Sequence, residues 1–251
     1  MSVTSVSLST GIITKGDRVK SKGDDVRMVF FDIEASSLEA SFGHTLCFGY
    51  KYYGDKKSKV ISLSDFKNPK KNEEPDLYLI QRIHTLLTDE ADVILSWYGK
   101  EYDRKFLNSR MLMVGLPPLP PLNSEHIDLY YTARGNLKLH SNRLQSVSEA
   151  LGCPVSKTPV RADVWRLAQR GDAKAMKYVV DHCHRDVEIL EWVYEKLKPF
   201  VRQHPWIGIK GLSCRVCGEN NFQRRGFTVT TGAQPKQRLQ CKGCGAWSLA
   251  N

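Results

Sequence analysis

Residues 26–34 form an apolar, β-branched run that ends in two carboxylates, Asp32 and Glu34. Such a run predicts a buried β-strand. Side chains two positions apart in a strand share one face, so both carboxylates should project from the same surface of the sheet. Two like charges held together in a core sheet repel each other, and divalent cations would neutralise them. A strand that runs out into solvent, with both acids on an exposed edge, is the alternative interpretation.

The charge of the chain points to a polyanionic partner. The 251 residues carry a formal net charge of +10, which favours nucleic acid first and an anionic membrane surface second. No stretch approaches the roughly 18 uninterrupted apolar residues of a transmembrane helix, and the start of the chain does not resemble the apolar core of a secretory signal. Seven cysteines, an odd number, argue against a disulfide framework. We therefore expect a cytoplasmic protein without a membrane partner.

The order of the periodic segments predicts a mixed sheet with helices on both faces. Residues 1–24 are rich in Ser, Thr, Gly and Lys, which favours a flexible N-terminal arm. Two further strands around a turn at Gly54 and Asp55 predict an antiparallel meander, after which strands alternate with helices. The predicted segments are strands at 44–53, 57–63, 91–98 and 127–131, and helices at 77–87, 102–114, 142–151, 162–169 and 173–197.

Two more acids lie where they could join the first pair. Asp103 follows the predicted strand at 91–98, in the first turn of a helix, where an Asp is also common because it caps free amide donors. Asp186 lies beside the apolar stripe of the long helix at 173–197 and is expected at the helix–sheet interface. His182 precedes Asp186 by four residues and shares its face of the helix. A lone His beside a core stripe is more often a packed, hydrogen-bonded residue, so His182 becomes a candidate only through Asp186.

Three segments together resemble the DEDD family of 3′→5′ exonucleases: residues 31–34 with the D-x-E pair, residues 97–107 with Asp103, and the helix that carries Asp186. The chain is most similar to exonuclease domains of bacteria and bacteriophages that are related to the proofreading domains of family B polymerases. The resemblance implies a ribonuclease H-like α/β fold, a mixed five-stranded sheet flanked by helices, over residues 25–198. It also implies a bacterial cell or a phage-infected host as the location.

The same resemblance implies a chemistry. Asp32, Glu34, Asp103 and Asp186 would hold two Mg²⁺ or Mn²⁺ ions and hydrolyse DNA from its 3′ end to nucleoside 5′-monophosphates. Family members carry either a Tyr four residues before the last Asp or a His five residues before it, whereas here His182 stands four before. His182 would replace the Tyr as the catalytic group that orients or deprotonates the attacking water.

Four cysteines near the C-terminus form two C-x₂-C pairs separated by 23 residues. Four thiolates in this pattern give a closed tetrahedral Zn²⁺ site. The glycines between the pairs and the alternating segment at 227–230 suit the hairpins of a zinc ribbon. No open ligand position is evident, so one structural Zn²⁺ is predicted, and a redox or accidental pattern is the alternative. The cysteines are Cys214, Cys217, Cys241 and Cys244.

Residues 199–251 are therefore predicted to be a basic zinc-ribbon domain that binds nucleic acid, with DNA favoured over RNA. From Lys198 onward the chain has nine basic residues and a single acid, Glu219. Basic side chains contact phosphates, and Phe222, Phe227 and Trp247 could stack on bases or pack the small module. A ribbon that docks a protein or only stabilises the chain is the alternative. The candidate nucleic-acid-binding residues are Arg215, Arg224, Arg225, Lys236, Arg238 and Lys242.

Two other functions remain open from the sequence. The ribonuclease H-like fold also supports internal cleavage, so an RNA-directed or structure-specific nuclease is one alternative. A non-catalytic nucleic-acid-binding factor with vestigial acids is the other, and the presence of all four carboxylates counts against it.

Overall fold

Five strands form the central sheet, namely β1 (Met28–Ala35), β2 (Thr45–Tyr52), β3 (Lys59–Ser62), β4 (Val93–Ser96) and β5 (His126–Asp128). Their order is β3-β2-β1-β4-β5. β2 runs antiparallel to β1 and β3, whereas β4 runs parallel to β1 and β5. The predicted mixed five-stranded sheet is confirmed. The computed structural model describes residues 26–67, 69–120, 126–156, 158–202, 204–207, 213–229 and 231–250, and the predicted arm at 1–24 lies outside them.

Six α-helices accompany this sheet in the described part of the chain: α1 (Leu77–Thr85), α2 (Asp103–Met113), α3 (Leu129–Asn136), α4 (Leu144–Ala150), α5 (Ala162–Gln169) and α6 (Ala173–Leu197). The bounds of α5 and α6 agree with the sequence prediction. The strand predicted at 127–131 is wrong beyond Asp128, because Asp128 accepts a hydrogen bond from the Tyr130 N–H and starts α3. None of the described helices is long and apolar enough to cross a membrane.

β1 lies at the centre of the sheet and separates two hydrophobic layers. Its odd-numbered apolar residues pack with α1 and α2, whereas Met28 and Phe30 pack with α6 on the other face. Because alternate side chains of a strand share a face, Asp32 and Glu34 continue the row that faces α6. The interpretation as a frayed edge strand is therefore wrong, since β1 is the third strand of five.

Gly49 allows α6 to approach the carboxylate end of β1. It is paired with Asp32 across the β1–β2 ladder. A Cβ at this position would lie 2.7 Å from Cys183 Sγ and 2.9 Å from Val187 Cγ2 of α6. Any side chain here would push α6 away from the sheet, and with it His182 and Asp186.

A buried ion pair joins α2 to the loop that precedes α1. Arg110 Nη2 lies 2.6 Å from Asp76 Oδ1 and 2.7 Å from Glu74 Oε2, and the Thr45 N–H donates to Asp76 Oδ2 at 2.8 Å. Asp76 is fully buried and Arg110 is 2% exposed. The pair therefore fixes the position of the helix whose first residue is Asp103.

Replacing Arg110 with Leu is expected to lower the free energy of unfolding by about 3–5 kcal/mol, because Asp76 would remain buried without its counter-ion. Urea unfolding followed by circular dichroism measures this change. Lys105→Ala is the matched control, since Lys105 lies on α2 like Arg110 but forms an exposed ion pair, with Glu101. Its loss should cost less than about 1 kcal/mol. Equal losses in both variants would show that the Arg110 pair does not stabilise the fold.

A second, three-stranded sheet follows α6, with the order β6-β7-β8 and antiparallel pairing throughout. Its strands are β6 (Phe222–Val229), β7 (Pro235–Cys241) and β8 (Trp247–Leu249). Before it, His204 is fully buried and its Nε2 lies 2.6 Å from the Tyr194 hydroxyl of α6. The domain boundary predicted at residue 198 stays a prediction, and α6 ends beside it at Leu197.

Candidate active site

The two carboxylates of β1 face α6 beneath α5. The indole N–H of Trp165 in α5 donates to Glu34 Oε2 at 3.2 Å, which fixes the orientation of that carboxylate. Asp32 lies near the thiol of Cys183, whose Sγ is 3.9 Å from Asp32 Oδ2. Side chains of α5 and α6 thus contact both carboxylates.

α6 brings His182 and Asp186 against Glu34. His182 Nε2 lies 3.6 Å from Glu34 Oε1 and 3.7 Å from Asp186 Oδ2. One ligand atom from each of these three residues lies within 4.8 Å of the other two. The other imidazole nitrogen, Nδ1, is hydrogen-bonded to the hydroxyl of Thr158 at 2.7 Å, so Nε2 is the nitrogen held on the carboxylate side. His182 and Asp186 are only 3% and 5% exposed.

Asp103 reaches β1 from the loop after β4. It is the first residue of α2 and is 5% exposed, and the backbone N–H of Ile33 is hydrogen-bonded to its carboxyl group. Burial raises the pKa of Asp103 to about 7, because loss of water disfavours the charged carboxylate. The Asp103 carboxyl group therefore lies beside the β1 backbone at Ile33, the residue between Asp32 and Glu34. It is not a member of the cluster of Glu34, His182 and Asp186.

A cavity of about 660 Å³ opens onto this cluster. Asp32, His182 and Asp186 line it on one side. Tyr98 and Tyr130 line it on the other, with their ring centroids 4.7 Å apart in a T-shaped contact. A cavity of this size is in the range of ligand sites, and it gives a substrate both acidic and aromatic contacts.

Asp128 is a functional candidate that the sequence prediction missed. Its buried carboxylate accepts hydrogen bonds from the backbone N–H groups of Tyr98 at 2.9 Å, Lys100 at 3.0 Å and Tyr130 at 3.1 Å. Tyr98 has a φ of 64°, in the left-handed region that non-glycine residues rarely adopt. The Asp128 carboxylate thus stabilises the strained turn that leads from β4 to Asp103. The only sequence signal was an acid inside an apolar run, within the segment 127–131 that was predicted to be a strand.

Asp128→Asn is expected to lower the affinity of the site for divalent ions by about 10–100-fold, the usual effect of removing a group that orients metal ligands. An amide offers one acceptor oxygen where the carboxylate now serves three N–H groups, so the turn before Asp103 should loosen. Titration of hydrolysis with Mn²⁺ and calorimetric Mn²⁺ binding both measure this change. Asp65→Asn is the control, because Asp65 also accepts a backbone hydrogen bond, from Ser62, away from the site. An unchanged Mn²⁺ dependence in Asp128→Asn would contradict the positioning role.

The four cysteines of the C-terminal sheet converge as predicted. Cys214 Sγ lies 3.7 Å from Cys244 Sγ, and Cys217 Sγ lies 3.6 Å from Cys241 Sγ, with all four sulfurs within 4.8 Å of one another. Zn–S bonds of about 2.3 Å give a tetrahedron with edges of about 3.8 Å, so these separations fit Zn²⁺. Burial raises the pKa of Cys217 and of Cys244, whereas at Cys241 burial is outweighed by hydrogen bonds, first those from the backbone of Cys244 and Gly243, which lower the pKa. A bound cation would favour the thiolate form of all four cysteines.

The six basic candidates are distributed over different parts of the C-terminal segment. Arg215 and Lys242 lie within the two cysteine pairs, Arg224 and Arg225 lie on β6, and Lys236 and Arg238 lie on β7. All are exposed except Lys236, which is half-buried. None of them lines the cavity beside Asp186.

Comparison with known proteins agrees with this architecture. A search of curated protein sequences finds no match. The solved structure of the family B DNA polymerase from the hyperthermophilic archaeon Pyrobaculum calidifontis is similar, with a TM-score of 0.52 and 16% identity, over 70% of this chain and 25% of the polymerase. This chain therefore corresponds to about a quarter of the polymerase's length, and the likeness shows the fold alone. The model of the RNase_H superfamily matches residues 29–198. The ribonuclease H-like fold implied by the sequence is thus confirmed, and the chain belongs to the RNase_H superfamily.

Proposed function

We propose that the protein is a divalent-metal-dependent 3′→5′ exonuclease that hydrolyses DNA and releases nucleoside 5′-monophosphates, with residues 25–198 as its catalytic domain. The observation that carries the proposal is the cluster of Glu34, His182 and Asp186 at the cavity, where β1 and α6 place their functional groups within 4.8 Å. Asp32 lines the same cavity, and Asp103 is hydrogen-bonded to the backbone of the same strand.

The donor set fits two Mg²⁺ or Mn²⁺ ions. Asp32, Glu34, Asp103 and Asp186 offer only oxygen ligands, which these hard cations prefer over nitrogen and sulfur. Burial raises the pKa of Asp103 to about 7, because desolvation disfavours the charged carboxylate. A bound cation would favour the charged form of this and the other carboxylates. When bound, the ions supply stabilisation of the negative charge that develops during phosphodiester hydrolysis.

His182 would act on the attacking water in this proposal. In the tautomer in which Nδ1 carries the proton and donates it to Thr158 Oγ1, the lone pair of Nε2 points to the carboxylate side. The water proton would then pass to Nε2, as in general-base catalysis. Trp165 and Thr158 hold the two partners, Glu34 and His182, in their orientations.

The aromatic side of the cavity suits the terminal nucleotide of a strand. Tyr98 and Tyr130 present rings on which an unpaired base can stack. Arg143, an exposed residue at the N-terminus of α4, also lines the cavity and can contact a phosphate. The preference for DNA rests on the likeness to a DNA polymerase, since none of these contacts reads the 2′ position of the sugar.

A 5′-labelled strand tests the proposal. The protein with Mn²⁺ should shorten labelled single-stranded DNA stepwise from the 3′ end, giving a ladder and unlabelled mononucleotides. Discrete internal fragments would favour a structure-specific endonuclease, and the same ladder only on RNA would favour an RNA-directed enzyme. Immediate release of the labelled nucleotide would reverse the polarity. The same strand with a phosphorothioate at its last linkage is the control, because it slows removal from the 3′ end only.

We also propose that residues 199–251 form a Zn²⁺-stabilised ribbon that binds the nucleic-acid backbone. The four sulfur atoms support a closed structural site. The positive charge of the ribbon comes largely from six basic residues, Arg215, Arg224, Arg225, Lys236, Arg238 and Lys242. Such a ribbon would retain a strand whose end is in the carboxylate site.

A further inference from the structure

The three-stranded sheet has two chemically different faces. On β7, the side chains of Lys236, Arg238 and Gln240 point to one face, because alternate residues of a strand share a face. On β8, Trp247 is paired with Gln240 and Leu249 with Arg238, so the side chains of Trp247 and Leu249 lie on that same face. We call this surface the Arg238 face.

Arg225 lies on the Arg238 face because it follows Arg224, whose partner Leu239 faces the other way. The β6–β7 register shifts after Arg224, so that Arg225 and Gly226 together lie opposite Arg238. Arg225 Nε donates to Gln240 Oε1 at 2.9 Å, and Arg238 Nε donates in turn to the Arg225 carbonyl at 3.1 Å. Both guanidinium groups are therefore held in place before any ligand binds, which reduces the entropy lost on binding.

The opposite face has little positive charge. Arg224 is paired with Leu239, Phe227 with Gln237 and Val229 with Pro235, so these β6 side chains lie away from Arg238. Within the three described strands Arg224 is the only cation on that face, and no acid lies on either face. The two faces thus differ in charge while sharing one backbone and one cysteine cluster.

An exposed aromatic ring lies among the cations of the Arg238 face. Trp247 is 54% exposed, and the Arg238 guanidinium is 5.8 Å from the centroid of its ring. A nucleobase can stack on such a ring while the neighbouring Arg and Lys side chains contact phosphates. The stack requires an unpaired base, because the faces of paired bases are covered by their neighbours in a duplex.

We infer that the Arg238 face binds single-stranded nucleic acid, with a base stacked on Trp247 and the backbone along Arg225, Lys236 and Arg238. This inference rests on the proposed role of the ribbon and names the surface and the form of nucleic acid. It also removes Arg224 from the group of contacting residues and adds Trp247 to it.

Fluorescence anisotropy of the full-length, Zn²⁺-loaded chain carrying Asp186→Asn tests the inference without hydrolysis. Trp247→Ala is expected to weaken binding of a labelled 20-nucleotide single strand by about 5- to 150-fold and to leave binding of the matching duplex unchanged. Arg225→Gln with Arg238→Gln should reduce the salt dependence of single-strand binding by about 0.7 per lost phosphate contact, as the slope of log K against log salt. Arg224→Gln with Phe227→Ala, on the opposite face, should match the parent.

Equal losses from the two faces, or an equal effect of Trp247→Ala on single strand and duplex, would overturn the inference. Zinc content of each variant confirms that the ribbon remains folded. Hydrolysis of a trinucleotide tests the proposed exonuclease separately from binding. Trp247→Ala with an intact carboxylate site should hydrolyse the trinucleotide at the parental rate. A wild-type chain that hydrolyses nothing would refute the exonuclease while leaving the binding result interpretable.

Discussion

Asp186→Asn is expected to lower the rate of Mn²⁺-dependent hydrolysis by about 10³-fold, the equivalent of losing several kcal/mol of charge stabilisation. Asp186 is 5% exposed, and its Oδ2 lies 3.7 Å from His182 Nε2, inside the cluster that also contains Glu34. An amide keeps the shape of the side chain but removes the negative charge that attracts a divalent cation. The loss should therefore appear in the rate and in Mn²⁺ affinity, measured by calorimetry.

The fold should tolerate this substitution. Removing one negative charge near Asp32 and Glu34 lessens the repulsion among buried carboxylates, so the free energy of unfolding without divalent ions should change by less than about 1 kcal/mol. Asp181→Asn is the matched control, since Asp181 lies on the same helix, has a half-exposed side chain and pairs with Lys177. Near-parental hydrolysis by Asp186→Asn, or an equal loss in Asp181→Asn, would refute the assignment of the site.

The parts of the site that the sequence predicted are those set by local periodicity. Alternation along β1 places Asp32 and Glu34 on one face, and the apolar stripe of α6 orients Asp186 toward the sheet. His182 follows from its spacing of four residues. Each inference needs only the geometry of one element, and each residue lies where that geometry puts it.

The parts that the sequence could not predict depend on contacts between distant segments. The bond from Trp165 to Glu34 spans 131 residues, and the bond from Thr158 to His182 comes from a loop without periodicity. Asp128 was hidden because a strand of three residues runs straight into a helix, and its apolar neighbours fit a longer strand equally well. In the ribbon, strict alternation would give Arg224 and Arg225 opposite faces but could not tell which one joins Arg238, since a register shift follows Arg224.

The sequence and the fold also explain why the site contains so many supporting groups. α6 approaches β1 closely only because Gly49 has no side chain, and the turn to Asp103 adopts a strained Tyr98 conformation only because Asp128 accepts three N–H groups. The acids thus come from three elements, β1, α2 and α6, and each of these elements is held in place by different contacts. The like charges of the cluster oppose this arrangement, so packing has to hold them together until cations bind.

Cys241→Ser is expected to reduce bound zinc from one ion per chain to almost none and to unfold the ribbon. Cys241 is 1% exposed, and its Sγ lies 3.6 Å from Cys217 Sγ. A structural Zn²⁺ contributes an apparent 10–16 kcal/mol, roughly, to the folding of a small domain, which far exceeds what the few buried residues of this sheet can supply. Metal analysis by mass spectrometry measures the zinc content, and trypsin should then cleave rapidly after Arg224, Arg225 and Lys236.

Residues 25–198, the proposed catalytic domain, should be unaffected by the same substitution, because the hydrophobic clusters of this segment contain none of the four zinc cysteines. Hydrolysis of a trinucleotide by Cys241→Ser should equal the parental rate, whereas affinity for a 20-nucleotide single strand should fall at least as far as in Trp247→Ala. Cys153→Ser is the control, since Cys153 is a half-buried thiol that packs against the α4–α6 cluster and should leave zinc content unchanged. One full equivalent of zinc in Cys241→Ser would refute the four-cysteine site, and loss of trinucleotide hydrolysis would show that the ribbon and the carboxylate domain are not independent.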